Sequence, residues 1–379
     1  MNILYILKHN PWGIGGGCYA CRNYLEVFTD IFEEATIDVC ICAEYLQCGR
    51  QNEYSNVNFI PVKERTKMQK LLSPLTGEMH RFQSKAKQLL SMKNYDLCIF
   101  DHNCIAGTLV DTCKRDGVKT IVINHNCEYE YFRDNSPRIH KMFFLPWVKR
   151  NECHSYKQCD YNVFLTEEDK VLFTDMYGNS NTMPIVGGAF MRKGECLPNV
   201  AGIPFSSGRL KIVISGTMGN IQNLDGLYYF LDELYDMIPE NIDIVMAGKN
   251  PPAELMEKVK SYTNITIIPN PKDIMSIVGN SDIFLCPTRL GGGMKLRLMD
   301  GLKCGLPVVT HEVSARGYSN FVRMGYLESF SNRDEFKTAL LKTIKKVSGH
   351  IVTKLEIQQK VSEELDFNMA VNRLKAIKY

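Results

Sequence analysis

Along the chain, short unbroken apolar runs alternate with stretches in which apolar residues recur every three or four positions. Runs of four to eight residues, rich in Ile and Val, read as strands buried on both faces; the longer periodic stretches read as helices. The first series of runs is NILYIL (2–7), IDVCIC (37–42), VNFIPV (57–62), DLCIFD (96–101), KTIVIN (119–124) and NVFLT (162–166), with helical stretches such as 18–34 and 78–93 between them. A second series begins near residue 209, with LKIVISG, DIVMAGK, NITIIP, DIFLCP and LPVVTH. A helix at 227–238 would place Leu227, Phe230, Leu231, Leu234 and Ile238 on one face. Strands alternating with helices predict an α/β fold with doubly wound parallel sheets. Residues 183–208, rich in Gly, Pro and Ser, read as a linker and surface loop. The expected architecture is two Rossmann-like domains facing across a cleft, one over 1–185 and one over 186–360, followed by a helical tail at 361–379. In such sheets the loops after the strands carry the chemistry.

Composition narrows the function classes. With 45% hydrophobic residues in a chain of 379, there is enough apolar material for two cores, so disorder is excluded. The charge of +3, from 45 basic and 42 acidic residues, is too small for a bulk nucleic-acid binder. No run approaches the ~18 apolar residues of a membrane span; the most lipophilic stretch, 142–148, is interrupted by Pro146. The opening MNILYILK meets Lys8 too early for a signal peptide, and a cytoplasmic protein is expected. The fourteen cysteines are scattered, many within strand-like runs, and read as reduced packing thiols. The single C-x-x-C, Cys18 to Cys21, has no second pair with which to build a zinc site, and packing is preferred over redox chemistry there.

Three strand-to-helix loops are candidates for chemistry. The first, GIGGG at 13–17, lets the backbone approach an anion through Gly15, Gly16 and Gly17, but its glycine spacing is poor for a dinucleotide. The second, PTRLGGGMKLRLMDGLKCGLPVV (287–309), places Gly291, Gly292 and Gly293 before a helix expected from Met294 to Cys304. Lys295 and Arg297 in that first turn oppose the helix dipole unless a bound diphosphate offsets them. Asp300 then lies one turn in, suited to accept hydrogen bonds from a ribose diol. The third, SGTMGNIQNLDGLYYF (215–230), offers Gly216 for backbone contact, with Asn223 or Asp225 as the helix cap.

These motifs resemble those of family 4 glycosyltransferases of the GT-B fold. The residues that carry the likeness are Gly291, Gly293, Lys295, Arg297 and Asp300, then Gly305, Pro307, Val308 and Val309. The turn of Gly216, Thr217 and Met218, followed by Asn223 and Asp225, is similar to another family motif. MAGKNPP at 246–252, containing Lys249, resembles the strand and turn that follow. The resemblance implies sugar transfer from a nucleoside diphosphate donor, with retention and without a required metal or other cofactor. It implies Arg297 and Lys295 on the diphosphate, Asp300 on the ribose, and backbone N–H groups of Gly292 to Met294 on phosphate or sugar. It also implies that His125, in INHNCEYEYFR, serves catalysis with Glu128 nearby; His102 in FDHN is the rival. The final helix would return to the first domain. Three positions depart from the pattern: Gly292 stands where many relatives carry Glu, and Thr217 and Asn223 stand where many carry Arg and Lys.

Residues 63–93 hold eight basic residues (Lys63, Arg65, Lys67, Lys70, Arg81, Lys85, Lys87 and Lys93) against Glu64 and Glu78. With the basic and aromatic stretch 138–150, this could dock the protein peripherally on an anionic membrane, where each basic residue adds ~1 kcal/mol. The expectation is therefore a retaining hexosyltransferase using a UDP- or GDP-sugar and a glycan or lipid-linked acceptor, in surface polysaccharide assembly on the inner face of the cell membrane. The rivals are a non-catalytic GT-B-like binding or scaffold protein and an NAD(P)-dependent oxidoreductase.

Overall fold

The computed structural model describes residues 1–13, 15–63, 66, 78–180 and 182–377, the side chains of 78–80 and 135 excepted. Two compact units emerge: Met1–Lys193 with Phe367–Tyr379, and Gly194–Asp366. The first extends past the expected 185 because the Asn23 amide donates to the Phe190 carbonyl (2.7 Å) and the Tyr24 hydroxyl to that of Gly188 (2.9 Å). The returning segment begins at Phe367 rather than 361, since the helix Lys354–Glu364 packs within the second unit.

Unit 1 is built on a seven-stranded sheet: β1 (Asn2–Leu7), β2 (Thr36–Cys42), β3 (Val57–Val62), β4 (Leu97–Asp101), β5 (Lys119–Asn124), β6 (Tyr161–Phe164) and β7 (Met183–Val186). Its order is β3-β2-β1-β4-β5-β6-β7, and every pairing is parallel. Residues Ile3, Tyr5 and Leu7 enter one core layer and Leu4 and Ile6 the other, which is why these strands are apolar without interruption. The first layer is completed by Phe367, Ala370, Val371, Leu374 and Ile377 of the C-terminal segment.

Unit 2 carries six parallel strands: β8 (Leu210–Thr217), β9 (Ile242–Lys249), β10 (Ile265–Pro269), β11 (Ile283–Cys286), β12 (Val308–His311) and β13 (Leu327–Phe330). Their order is β10-β9-β8-β11-β12-β13. The direction of winding reverses between β1 and β4 in unit 1, and between β8 and β11 in unit 2. At such points two neighbouring loops diverge and leave a crevice at the strand carboxyl ends.

Two helical expectations need correction. The stretch expected as one helix at 227–238 is an α-helix over Ile221–Tyr229, then a π turn (Phe230–Leu234) and a 3₁₀ turn (Tyr235–Met237). The helix expected from Met294 begins only at Arg297 and ends at Lys303.

The stretch 138–150 belongs to a 21-residue helix, Arg138–Gln158, with Pro146 inside it. Ile139, Met142 and Phe143 share a face by spacing and are 66%, 66% and 64% exposed. Of the basic residues expected on the neighbouring surface, Arg65, Lys67 and Lys70 lie outside the described residues. Arg81 instead donates to the Lys63 carbonyl (2.9 Å) and lies over the Phe82 ring, and Lys93 pairs with Asp38 (2.9 Å). Among the described residues, no helix is long and apolar enough to cross a membrane.

Candidate active site

In unit 2 the crevice between β8 and β11 is lined by Gly216, Met218, Asn223, Pro287, Thr288 and Arg297. Asn220, not Asn223 or Asp225, caps the helix Ile221–Tyr229 by accepting from the Gln222 N–H (3.0 Å). Asn223 is thereby released for another task. Its amide donates to the Thr217 carbonyl (2.8 Å) while its oxygen accepts from the Arg297 guanidinium. Asp225 is held by Arg289 (2.9 Å). Gly216, at φ 141°, takes a conformation open to glycine, and a side chain there would meet Arg297 at 3.0 Å. The guanidinium therefore lies over a bare backbone turn, fixed by an asparagine that is itself fixed to that turn.

The glycine loop after β11 is shaped from inside. Lys295 is buried, and its ammonium donates to the Gly292 carbonyl (3.2 Å) and Gln222 Oε1 (3.4 Å), while the Tyr318 hydroxyl donates to the Lys295 carbonyl (3.1 Å). Gly291 and Gly293 both have positive φ, and a side chain at 291 would overlap Gln222. A side chain at Gly292 would enter open space. Met294 is half-buried beside them. Thr217 and Lys249 expose their side chains, but their backbones close the turn, with the Met218 N–H donating to the Lys249 carbonyl (2.8 Å). Asp300 lies in the first turn of the helix Arg297–Lys303. Burial pushes its carboxyl up to about 6, against the pull of Lys303 and Arg297.

In unit 1 the loops after β1, β4 and β5 bring three histidines together. The rings of His102 and His125 stack at 5.4 Å, and His9 lies 5.6 Å from His102. Asp101, fully buried at the end of β4, accepts from the Tyr5 hydroxyl (3.2 Å) and pairs with His125 Nε2. In the neutral ring, that pairing would place the proton on Nε2 and leave the lone pair on Nδ1. Nδ1 is buried without a hydrogen-bond partner, so it can accept from a substrate hydroxyl. His102 reaches Glu128 Oε1 (3.3 Å) through Nε2 and Cys104 Sγ (3.3 Å) through Nδ1. Burial and the nearby Lys8 depress the His102 pKa, and burial with the same charge pushes that of His9 down to about 4. Burial pushes the Glu128 carboxyl up. His102, Cys104 and Glu128 each offer an atom within 4.8 Å of the others, but the Lys8 ammonium, 3.5 Å from Cys104 Sγ, already supplies a cation there.

Gly15 to Gly17 open the helix Gly16–Ile31, which has no side-chain cap and no acidic residue in its first turn. The uncapped N–H groups there are suited to an anion, and a side chain at Gly17 would meet the His9 ring at 3.5 Å. Sequence reasoning named His125, His102 and Glu128 but missed Lys8, His9 and Asp101. The signal was available: Lys8 and His9 directly follow β1, and Asp101 ends β4, at the reversal in the strand order of unit 1.

Residues 209–346 match the family model for glycosyl transferases group 1. This part of the chain is a glycosyltransferase group 1 domain. No curated protein matches the chain by sequence. Among solved structures, HepE of Anabaena in complex with UDP and glucose is similar over 99% of this chain and 98% of its own, at 10% identity and TM-score 0.66. Sucrose-phosphate synthase from Thermosynechococcus elongatus is similar over 99% and 97%, at 11% identity and TM-score 0.72. The pneumococcal O-GlcNAc transferase GtfA, in complex with UDP and GlcNAc, is similar over 99% and 98%, at 13% identity and TM-score 0.60. These likenesses extend over both units, and the fold of the chain is GT-B. The crevice around Arg297 thus lies within the transferase domain, and the histidine cluster lies in the unit that precedes it.

Proposed function

We propose that the protein is a retaining hexosyltransferase that takes a UDP- or GDP-sugar as donor and a glycan or lipid-linked saccharide as acceptor, in surface polysaccharide assembly. The observation that carries this reading is Arg297 held by Asn223 over the bare Gly216 turn, inside a group 1 domain. Breaking the bond to the sugar builds negative charge on the departing diphosphate, and a fixed guanidinium with backbone N–H groups stabilises that charge without reorganising. Arg297 is the catalytic residue on the donor side, and Asp300 accepts from the ribose diol. On the acceptor side, His125 presents Nδ1 to a hydroxyl, and Asp101 keeps the ring in that tautomer. The leaving phosphate can take the acceptor's proton, so no protein nucleophile is needed. No metal is required on this reading, and transfer withstands EDTA.

Thermal-shift titration against UDP-, GDP-, ADP- and CMP-sugars tests it. One nucleotide class is expected to raise Tm, and Arg297→Ala to weaken its binding by roughly 10–150-fold, the equivalent of one charged hydrogen bond at about 1.5–3 kcal/mol. Absence of a shift with every donor would overturn the reading and favour a non-catalytic binding protein.

The exposed face of Ile139, Met142 and Phe143, flanked by Arg138 and Lys141, fits an anionic bilayer on the cytoplasmic side. Flotation with vesicles containing phosphatidylserine at low salt should carry the protein upward, and Phe143→Ser should weaken this. Equal flotation with neutral vesicles would exclude the electrostatic part.

A further inference from the structure

Glu152 is a buried acid in the middle of unit 1, on the helix Arg138–Gln158, with 1% exposure. It lies outside the expected donor site, and four of its five partners fall in the FDHN and INHNCEYEYFR segments. Its two oxygens gather donors from three separate segments. Oε1 accepts from the Asn103 amide (2.7 Å), two residues past the end of β4, and from the Glu128 backbone N–H (2.6 Å), at the start of the helix that follows β5. Oε2 accepts from the Tyr129 N–H (3.2 Å), the Cys127 thiol (3.4 Å) and the Tyr177 hydroxyl (2.6 Å).

We propose that Glu152 is the positioning residue of the histidine cluster, tying the loop that carries His102 to the loop that carries His125 and Glu128. This rests on the acceptor-side reading of that cluster for its kinetic consequence, but not for its structural one.

Three features point to a role beyond filling space. First, five donors converge on one side chain, whose two carboxyl oxygens are the shared acceptors for all of them. Second, two of the donors are the first N–H groups of the helix Glu128–Asn135, where negative charge is favoured by the helix dipole. Glu128, whose side chain reaches His102, is the first residue of that helix, so Glu152 sets where Glu128 stands. Third, His102 holds φ 131°, a conformation that L side chains rarely adopt. Such strain persists only where the surroundings over-determine it. The bond from the next residue, Asn103, to Glu152 is an anchor of this kind.

Burial pushes the Glu152 carboxyl up to about 7, with Glu128 adding to the rise, while Tyr177 and the two backbone N–H groups pull it down. The donors thus offset burial only in part.

The test uses the full chain with Glu152→Gln, Glu152→Asp and Tyr177→Phe. Hydrogen exchange at the Glu128 and Tyr129 amides is read beside kcat, the donor KM and the nucleotide thermal shift. In Glu152→Gln, exchange at those two amides should rise at least tenfold. The same variant should lower kcat by about 10–100-fold, with donor KM and the nucleotide shift within twofold of wild type, because unit 2 is untouched. Tyr177→Phe, which removes one donor and keeps the carboxylate, should show the same pattern more weakly and remains informative if the Gln variant does not fold. Glu152→Asp should recover part of kcat. Unchanged amide exchange in both Glu152→Gln and Tyr177→Phe would overturn the proposal. Raised exchange in a protein that transfers no sugar even as wild type would uphold the positioning role and overturn the reading of function instead.

Discussion

At the scale of single residues, Asp300 gives two pH responses of opposite sign. Its carboxyl is raised to about 6 from an ordinary 3.8 by burial, so the folded chain binds that proton more tightly than the unfolded chain does. Stability from this group is therefore fully present below the unfolded value and is lost as pH rises to about 6. On the proposed ribose-binding role, nucleotide binding runs the other way, because only the ionised carboxylate would accept two hydrogen bonds from the diol. Nucleotide affinity should rise between pH 5 and 7 while the Tm of the free protein falls over the same range. Asp300→Asn should flatten this part of both profiles and weaken nucleotide binding at pH 7. Calorimetry across that range, with and without nucleotide, checks it. Parallel slopes in the two proteins would refute the assignment.

At the scale of elements, the strand-to-helix turns set what a substitution does. β8 and β9 pair with Gly216 opposite Gly248, and a methyl group at 248 would overlap the Gly216 carbonyl oxygen. Gly248→Ala must displace the very turn over which Arg297 lies. It should cost about 1–3 kcal/mol, as overpacking does, and weaken nucleotide binding as well. Gly208→Ala, with open space around it, is the control expected to leave both unchanged. Equal Tm and nucleotide affinity in the two variants would show that the turn tolerates the strain. These turns also mark where sequence reading succeeds and where it stops. The strands were legible because double-sided burial gives unbroken apolar runs, and β1 coincides with the expected 2–7. The helix at 227–238 misled because spacings of three and four fit an α-turn and a wider π turn alike. Asn220, Asn223 and Asp225 are all competent caps, and only the extended backbone of Asn220 decides among them. Glu152 did leave a trace: with Val148, Ser155 and Tyr156 it lies on the buried stripe of its helix, a carboxylate where an apolar residue is expected.

At the scale of the whole molecule, each unit has its own core, yet unit 1 is finished by the last residues of the chain. Phe367, Val371, Leu374 and Ile377 are buried against a layer that contains Tyr24, Phe28 and Phe190. Each such side chain contributes about 1.5–3 kcal/mol on burial, so the four together rival the 5–15 kcal/mol of a typical domain. Ending the chain at Asp366 should therefore unfold unit 1 and expose apolar surface that drives aggregation. Leu374→Ala is the milder form, expected to cost about 2–5 kcal/mol. Gly194–Asp366, a unit that does not include the C-terminal segment, contains Gly216, Asn223, Lys295, Arg297 and Asp300. Nucleotide should accordingly still raise the melting of unit 2 in Leu374→Ala. Scanning calorimetry separates the cases: the transition that ignores nucleotide should move down, and the nucleotide-dependent one should stay. If both moved together by the same amount, the two units would be melting as one, and the independence of their cores would be refuted.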